Sequence, residues 1–367
     1  MKYQIRKAAA VSALALLLMP AGVASARGST TLTVSPGDSI QAALDRARPG
    51  DTVLVKPGTY RENLEMSTDR VTLTGFGATL AAPETPVHRR CSTAFESETN
   101  RYGVCVAGDV VPVPGGFPEI RRPVRDVTIR GLTVGRFPST GVVGLGAVNT
   151  RIERADIAGG ASYGILFSLG TSGSVVVGSR VHGGFSAGIY IGLAPEATAT
   201  LVGNDIFDNG VYGIFLRDAS HGTIAGNNIR GNCVGVGFLP TTPDRAAVTG
   251  WRVTANRIHA NNTACAPGAP PSSGVAILGA SDITVTYNVV TDSGPTDATA
   301  TRGGGVLLMA SEYGGPADPV DNRVEANLLR GNRPYDLAVL AEGTGNRLQG
   351  NICETSTPAG LCTATNR

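Results

Sequence analysis

Three side chains of the types found in a nucleophilic triad lie within one short stretch of the sequence. The segment YGIFLRDASHGTIAGNNIRGN, residues 212–232, contains Asp218, Ser220 and His221. A working triad needs its acid, base and nucleophile to converge from different directions. Side chains one to three residues apart in a turn rarely do so, and Asp and Ser favour turns because they bond to the local backbone. We therefore interpret the stretch primarily as part of the structural scaffold rather than as an active site.

The neighbouring positions offer a different chemistry, directed at sugars. If the segment is an alternating strand, Phe215 and Arg217 point outward, and Tyr190 occupies the equivalent outward position one repeat earlier. An Arg can hold a carboxylate through two hydrogen bonds, and a nearby His or Asp can transfer a proton. The catalytic candidates are Arg217, Asp218 and His221, and the substrate-binding candidates are Tyr190, Phe215 and Arg230.

A repeat must position these side chains. Segments that begin with Gly and continue with alternating aliphatic residues start at Gly164, Gly188, Gly213, Gly235, Gly274 and Gly305. The first four lie about 24 residues apart, a period that indicates stacked units. No unit has room for a helix, so we predict a coil with one turn per unit and neighbouring strands about 4.8 Å apart. In this coil Ile214, Leu216, Ile224 and Ile229 face inward and Phe215 faces outward.

Asparagines recur at one bend of each unit, in phase with the strands. They are Asn204, Asn227, Asn256, Asn288, Asn327 and Asn351. Asn tolerates the left-handed backbone of a tight turn, and stacked amides can satisfy one another's hydrogen bonds. The column therefore supports the coil.

With this repeat, which runs from about residue 125 to 353, the chain resembles right-handed parallel β-helix proteins of the pectate-lyase-like, NosD-like class. The segment VSPGDSIQAALDRARPGDTVLVKPGTYREN, residues 34–63, also resembles the N-terminal part of that class. In it an apolar stripe runs along a short helix capped by Asp38 or Ser39, and its members are Ile40, Ala43, Leu44 and Ala47. The resemblance implies an all-β, right-handed parallel β-helix of roughly a dozen rungs with an N-terminal capping helix.

The N-terminus has the pattern of a cleaved signal peptide, with a basic start and a short apolar run. We predict a signal peptide over 1–26 and a single domain over 27–367, with a loop insertion at 83–124 and a C-terminal tail at 353–367. Loss of the three basic leader residues takes the formal charge from +2 to −1. This charge argues against nucleic acid as a partner. We expect a secreted, extracellular monomer without a membrane anchor.

The six cysteines fit an oxidising compartment. Cys233 and Cys265 have the same phase relative to the Asn bend, so we pair them. Cys91 with Cys105 would close a loop, and Cys353 with Cys362 would fasten the tail, although other pairings among the fifteen stay open. No C-x-x-C or H-x-x-x-H pair is present, so we expect no structural zinc. We predict no cofactor; calcium stays possible, but no site is identified.

The resemblance implies a carbohydrate-active protein: a polysaccharide lyase, epimerase or hydrolase acting on an extracellular polysaccharide. The Asp cluster of pectate-lyase calcium sites, the Tyr-Gly-x-Asp-Pro-His type motif of alginate epimerases and the paired Asp motif of polygalacturonases are absent from the sequence. The alternative is therefore a non-catalytic extracellular β-helix that binds carbohydrate or serves a structural role, since this scaffold hosts many functions.

Overall fold

The structure is a computed structural model that describes residues 28–85, 87, 89–94, 101–241, 248–311, 313 and 317–363. The predicted signal peptide, 1–26, lies outside the described residues. Within the described part the chain winds into a coil whose successive turns pair through long parallel β-sheets. We name the three long sheets A, B and C in the order in which a turn passes through them.

Each long sheet is built from short strands contributed by successive turns. Sheet A has twelve strands: Thr31–Val34, Thr52–Val55, Thr72–Thr74, Thr128–Arg130, Arg151–Glu153, Val175–Val177, Ala199–Val202, Gly222–Ala225, Trp251–Thr254, Thr284–Thr286, Arg323–Glu325 and Arg347–Gln349. Sheet B has ten: Gly58–Arg61, Ala78–Ala81, Thr133–Val134, Asp156–Ala158, Arg180–His182, Asp205–Phe207, Asn228–Arg230, Arg257–His259, Val289–Thr291 and Leu328–Arg330. Sheet C has eleven: Leu64–Met66, Tyr102–Ala107, Thr140–Leu145, Tyr163–Ser168, Ala187–Ala194, Tyr212–Ala219, Val234–Leu239, Ser273–Leu278, Gly304–Met309, Leu337–Leu340 and Ser356–Thr357. These counts confirm the prediction of roughly a dozen rungs.

The remaining described elements are short. Val124–Arg125 pairs in parallel with Ala147–Val148, and Asp109–Val111 pairs antiparallel with Glu119–Arg122 inside the predicted insertion. Helix α1 spans Ile40–Arg46 and helix α2 spans Arg90–Ala94. No helix among the described residues is long and apolar enough to span a membrane.

Alternation along the strands separates the core from the outer face, as the repeat predicts. Ile214, Leu216, Ile224 and Ile229 are fully buried in the main core cluster inside the coil. Phe215 lies in a second cluster on the outer face of sheet C. The inward and outward assignments are therefore confirmed.

The asparagine column forms a hydrogen-bonded ladder between sheets A and B. The amide of Asn227 donates to the side-chain oxygen of Asn256 at 2.9 Å, and that of Asn256 donates to Asn288 at 3.0 Å. The expected left-handed backbone falls one residue earlier, as at Gly226 (φ 61°) and Ala255 (φ 53°). Asn is thus required for its side chain, which bonds the next turn, rather than for its backbone conformation.

A second ladder, which the sequence reasoning missed, lies five residues further along, between sheets B and C. Its members are Asn209, Asn232, Asn261, Ser293 and Asn332. The amide of Asn332 donates to the carboxylate of Asp336 at 2.8 Å, so a buried acid ends the series. The five-residue offset from the first column repeats in each of these turns and was visible in the sequence.

Helix α1 has the predicted apolar stripe. Ile40, Ala43 and Leu44 are buried in the same core cluster as the first strands of the coil. Of the two candidate caps, Ser39 takes the N-cap position, and its hydroxyl accepts from the backbone of Ala42 at 3.1 Å. The helix contributes to the core at this end, while its role in closing the coil stays a prediction.

The structure forms the three predicted disulfides, Cys91–Cys105, Cys233–Cys265 and Cys353–Cys362. Their Cα atoms lie 5.8, 5.2 and 5.0 Å apart, within the usual range for a disulfide. The first two fasten segments onto the outer face of sheet C, because the cysteines lie in the two apolar clusters found there.

Candidate functional site

Aromatic rings form a continuous row on the outer face of sheet C. Tyr163 stacks on Tyr190 with ring centroids 4.7 Å apart, and Tyr190 contacts Phe215 at 5.4 Å. Phe215 in turn stacks on Tyr212 at 4.1 Å with nearly parallel planes. The rings come from three successive turns of the coil. Register pairs Tyr190 with Phe215, whereas Tyr163 is paired with Ala187 and meets Tyr190, three positions further along that strand, on the diagonal.

Two disulfide-fastened segments cover the ends of this apolar strip. Helix α2, with Cys91 and Ala94, packs on the N-terminal half, and the loop carrying Cys265 and Ala269 packs on the C-terminal half. Part of the predicted insertion at 83–124 therefore lies on the strip.

The covering segments also bury two aromatic rings of the predicted site. Tyr190 and Phe215 were expected to present exposed rings, but only 6% and 8% of their surfaces are accessible. A ring whose faces are occupied by its neighbours has little surface left to stack on a sugar. Tyr190 instead supports Tyr163, which is half-buried at one end of the row, and Phe215 packs behind Tyr190.

Arg217 lies at the edge of this aromatic row and is held in place by polar contacts. Its Nε donates to the hydroxyl of Thr241 at 3.2 Å and lies 3.7 Å from a carboxylate oxygen of Asp218. Asp218 accepts from the backbone and the hydroxyl of Thr241 at 2.8 and 2.6 Å. The Arg217 side chain keeps 40% of its surface exposed. A fixed guanidinium with free surface is suited to binding a carboxylate from solvent.

The tyrosine hydroxyls beside Arg217 are held in the protonated form. Burial raises the pKa of Tyr212 well above its usual value, and the nearby Tyr313 raises it further, while the charge of Arg217 opposes both. Burial also raises the pKa of Tyr163, where a hydrogen bond with Ser186 and the charge of Arg217 act in the opposite direction. Hydroxyls that stay protonated can donate hydrogen bonds or a proton, but they are poor bases.

The three residues of the possible triad, Asp218, Ser220 and His221, lie in different environments. Asp218 is 1% exposed and bound to Thr241, and Ser220 is 3% exposed. His221 is exposed, and its ring lies over Gly250 of the next turn. Of the three catalytic candidates, Arg217 is thus the one whose charge acts on the tyrosine hydroxyls.

Arg230, the remaining substrate-binding candidate, lies on a different face of the coil. It belongs to sheet B, where its Nη2 is 3.3 Å from Asp205 and its guanidinium lies 4.3 Å from the ring centroid of Phe207. Arg230 therefore does not lie with Tyr190 and Phe215, because the turn between the sheets separates it from sheet C, and its role in substrate binding stays a prediction.

A cleft of about 420 Å³ lies further along the outer face of sheet C. Arg217 pairs with Leu239 on the next strand, and Leu278 pairs with Met309 further on. Leu239, Leu278 and Met309 line the cleft. The hydroxyl of Tyr313 donates to the carbonyl of Gly268 at 2.8 Å, which joins the loops on either side.

The sequence reasoning missed Tyr163, Tyr212, Thr241 and Tyr313. A signal existed for the first two, since Tyr precedes the repeat glycine in Tyr163-Gly164 and Tyr212-Gly213. Thr241 and Tyr313 lie in expanded turns, where the repeat gives no register. Among the described residues, no group of three or more His, Cys, Asp or Glu side chains is arranged to hold a metal ion. Calcium binding therefore stays untested.

Comparison with known proteins identifies the architecture. Residues 96–250 match the family model for the right handed beta helix region. The A-module of mannuronan C-5 epimerase AlgE4 from Azotobacter vinelandii superposes with a TM-score of 0.59 at 20% identity, covering 85% of this chain and 91% of that one. No curated protein matches the sequence.

Two further solved structures share the coil. Pectate lyase Pel9A has a TM-score of 0.51 at 13% identity over 93% of this chain and 82% of its own. The Dettilon tailspike protein has a TM-score of 0.53 at 13% identity over 87% of this chain and 66% of its own. Together with the parallel sheets, these matches show that the chain is a right-handed parallel β-helix protein of the fold seen in pectate lyases and alginate epimerases.

Proposed function

We propose that this protein is a secreted, carbohydrate-active β-helix that acts on an acidic polysaccharide at the outer face of sheet C. The observation that carries the proposal is the Arg217 guanidinium, which is fixed by Thr241 and partly exposed beside the hydroxyls of Tyr163 and Tyr212. A uronic-acid unit needs this combination: a cation for its carboxylate and neutral donors for its hydroxyl and ring oxygens.

The chemistry of the site supports a lyase or an epimerase over a hydrolase. Both reactions begin when a base takes the proton beside the carboxylate, and His221, the exposed acid–base candidate, would be that base. A guanidinium that stabilises the resulting negative charge lowers the barrier. A protonated tyrosine can then donate to the leaving oxygen or to the opposite face of the sugar. The named substrates of two structural relatives, mannuronan and pectate, are also acidic polysaccharides. Disulfides and the predicted signal peptide support an extracellular location.

A second function, binding without turnover, is favoured by the positions of the two acid–base candidates. Asp218 is buried against Thr241, and His221 lies over Gly250 rather than beside the tyrosines. Arg217 would then anchor an acidic chain that the protein does not cleave or epimerise. Product analysis by chromatography and NMR separates the two functions, because both predict binding but only the first predicts new products.

Replacing Arg217 with alanine tests the shared part of both functions. We expect affinity for polygalacturonate or alginate to fall by about 10- to 100-fold, since a charged hydrogen-bonded contact contributes about 1.5–3 kcal/mol. The matched control is Arg230→Ala on sheet B, because the two side chains have similar exposure, 40% and 34%. Calorimetric titration should show near wild-type affinity for that control. Equal losses in both variants would place the binding site elsewhere.

A further inference from the structure

The outer face of sheet B changes character towards the C-terminal end of the coil. One outward column of this sheet carries polar side chains on successive turns and then becomes apolar. The polar members are Asp156, Arg180, Asp205, Asn228 and Arg257, and the apolar members that follow them are Val289, Leu328 and Ile352. Parallel pairing places the three apolar side chains on neighbouring turns, directly beside one another.

These apolar side chains are open to solvent. Val289 and Ile352 keep 40% and 39% of their surface accessible, and Leu328 between them is half-buried. Tyr287, two residues before Val289 at the bend from sheet A, is 71% exposed. Single exposed aliphatic residues are ordinary, but apolar side chains grouped on one face indicate an interaction surface. We name Tyr287, Val289, Leu328 and Ile352 the C-terminal patch.

Two charged side chains of opposite sign border this patch. Arg330 and Glu354 lie two residues beyond Leu328 and Ile352, so alternation places them in the next outward column on neighbouring turns. Both are exposed, and neither forms an ion pair with another residue that the structure describes. A surface with a base on one turn and an acid on the next complements a reversed copy of itself.

We propose that the C-terminal patch binds the same patch of a second copy of this chain, related by a two-fold axis parallel to the strands of sheet B. Such an axis reverses the direction of the coil and keeps the position along each strand. Leu328 then faces Ile352 of the second copy, and Arg330 faces Glu354 of the second copy. Each contact occurs twice, as in any isologous interface. The proposal departs from the monomer expected from the sequence.

The size of the patch sets the expected strength of the dimer. Four apolar side chains per copy make a small contact compared with the about 1,200–2,000 Å² buried in stable complexes. We therefore expect a weak dimer with a dissociation constant on the order of 100 µM. Sedimentation equilibrium between about 10 µM and about 1 mM covers this range. The average mass should rise with concentration from that of one chain towards that of two.

Ile352→Glu tests the apolar contact. The side chain is exposed, so the fold should tolerate the change, and circular dichroism checks that it does. We expect the dimer to weaken by at least about 10-fold, because a carboxylate then loses water against Leu328 of the second copy. The matched control is Leu54→Glu on the outer face of sheet A, where Leu54 is 40% exposed. This variant should associate as the wild-type protein does.

Charge reversal tests whether the partner is a second copy. Arg330→Glu and Glu354→Arg should each weaken the dimer by about 10-fold, since like charges then face each other across the axis. An equimolar mixture of the two variants should associate with nearly wild-type strength. In that mixture the two acids of one chain face the two bases of the other.

Three results would overturn the inference. The first is a wild-type protein that keeps the mass of one chain up to about 1 mM. The second is unchanged association of Ile352→Glu, which would place the contact elsewhere. The third is a mixture of the charge variants that associates no better than its components. Failure to bind an acidic polysaccharide would instead overturn the proposed function alone, because that function rests on sheet C.

Discussion

Replacing Trp251 with alanine should reduce the free energy of unfolding by about 3–5 kcal/mol, the usual cost of removing a large buried aromatic side chain. Trp251 has no exposed surface and packs against Phe238 with ring centroids 6.4 Å apart. Its indole Nε1 donates to the carbonyl of Ala219 at 2.9 Å, and the ring lies directly against Gly222. The change leaves both a cavity and an unpaired carbonyl inside the coil.

Chemical denaturation followed by circular dichroism measures this effect. The matched control is Tyr287→Ala, because Tyr287 is an aromatic residue of the same repeat region that is 71% exposed. That change should alter the free energy of unfolding by less than about 0.5 kcal/mol, as expected for a surface substitution. A small effect of Trp251→Ala would show that the turn around it is packed differently.

Replacing Asn256 with alanine should cost about 2–4 kcal/mol, because one buried group left without a partner already costs about 1–3 kcal/mol. The Asn256 side chain accepts from the backbone and the amide of Asn227, both at 2.9 Å. Its own amide donates to the carbonyl of Ile224 at 2.8 Å and to Asn288. The substitution therefore breaks the ladder in both directions.

Asn262→Ala is the control for this ladder. The Asn262 amide makes one exposed hydrogen bond, to the carbonyl of Asp292 at 3.2 Å, and belongs to neither ladder. Its replacement should change the free energy of unfolding by less than about 0.5 kcal/mol. Comparable losses for Asn256→Ala and Asn262→Ala would mean that the ladder adds nothing beyond an ordinary surface contact.

The coil was predictable because the same alternation of inward and outward side chains recurs in successive turns. The alternation at Ile214, Phe215 and Leu216 fixed which side chains enter the core, and parallel pairing then fixed the register of every turn. The pairing of Cys233 with Cys265 was correct although their phases differ, since Cys265 lies in a loop before Ser273, the register partner of Val234. The role of the asparagines was misassigned in part, since an Asn at a bend is equally consistent with a left-handed backbone and with a side-chain ladder.

The site was less predictable because it depends on the segments that interrupt the repeat. Alternation correctly placed Tyr190 and Phe215 on the outer face, but it gave no sign that the loop fastened at Cys265 would cover them. Arg230 was named as a substrate-binding candidate beside them, although the turn between sheets B and C places its side chain on a different face. Thr241, which holds Arg217 and Asp218, lies in an expanded turn whose path no periodicity describes.

We propose that the outer face of sheet C around Arg217 binds an acidic polysaccharide. The most direct measurement is the position of a uronic-acid oligosaccharide in a crystal structure of its complex with the protein. We predict electron density along sheet C, with one sugar carboxylate within hydrogen-bonding distance of the Arg217 guanidinium and a sugar hydroxyl near Tyr163. Density on sheet B, along Arg180 and Arg230, would contradict the claim.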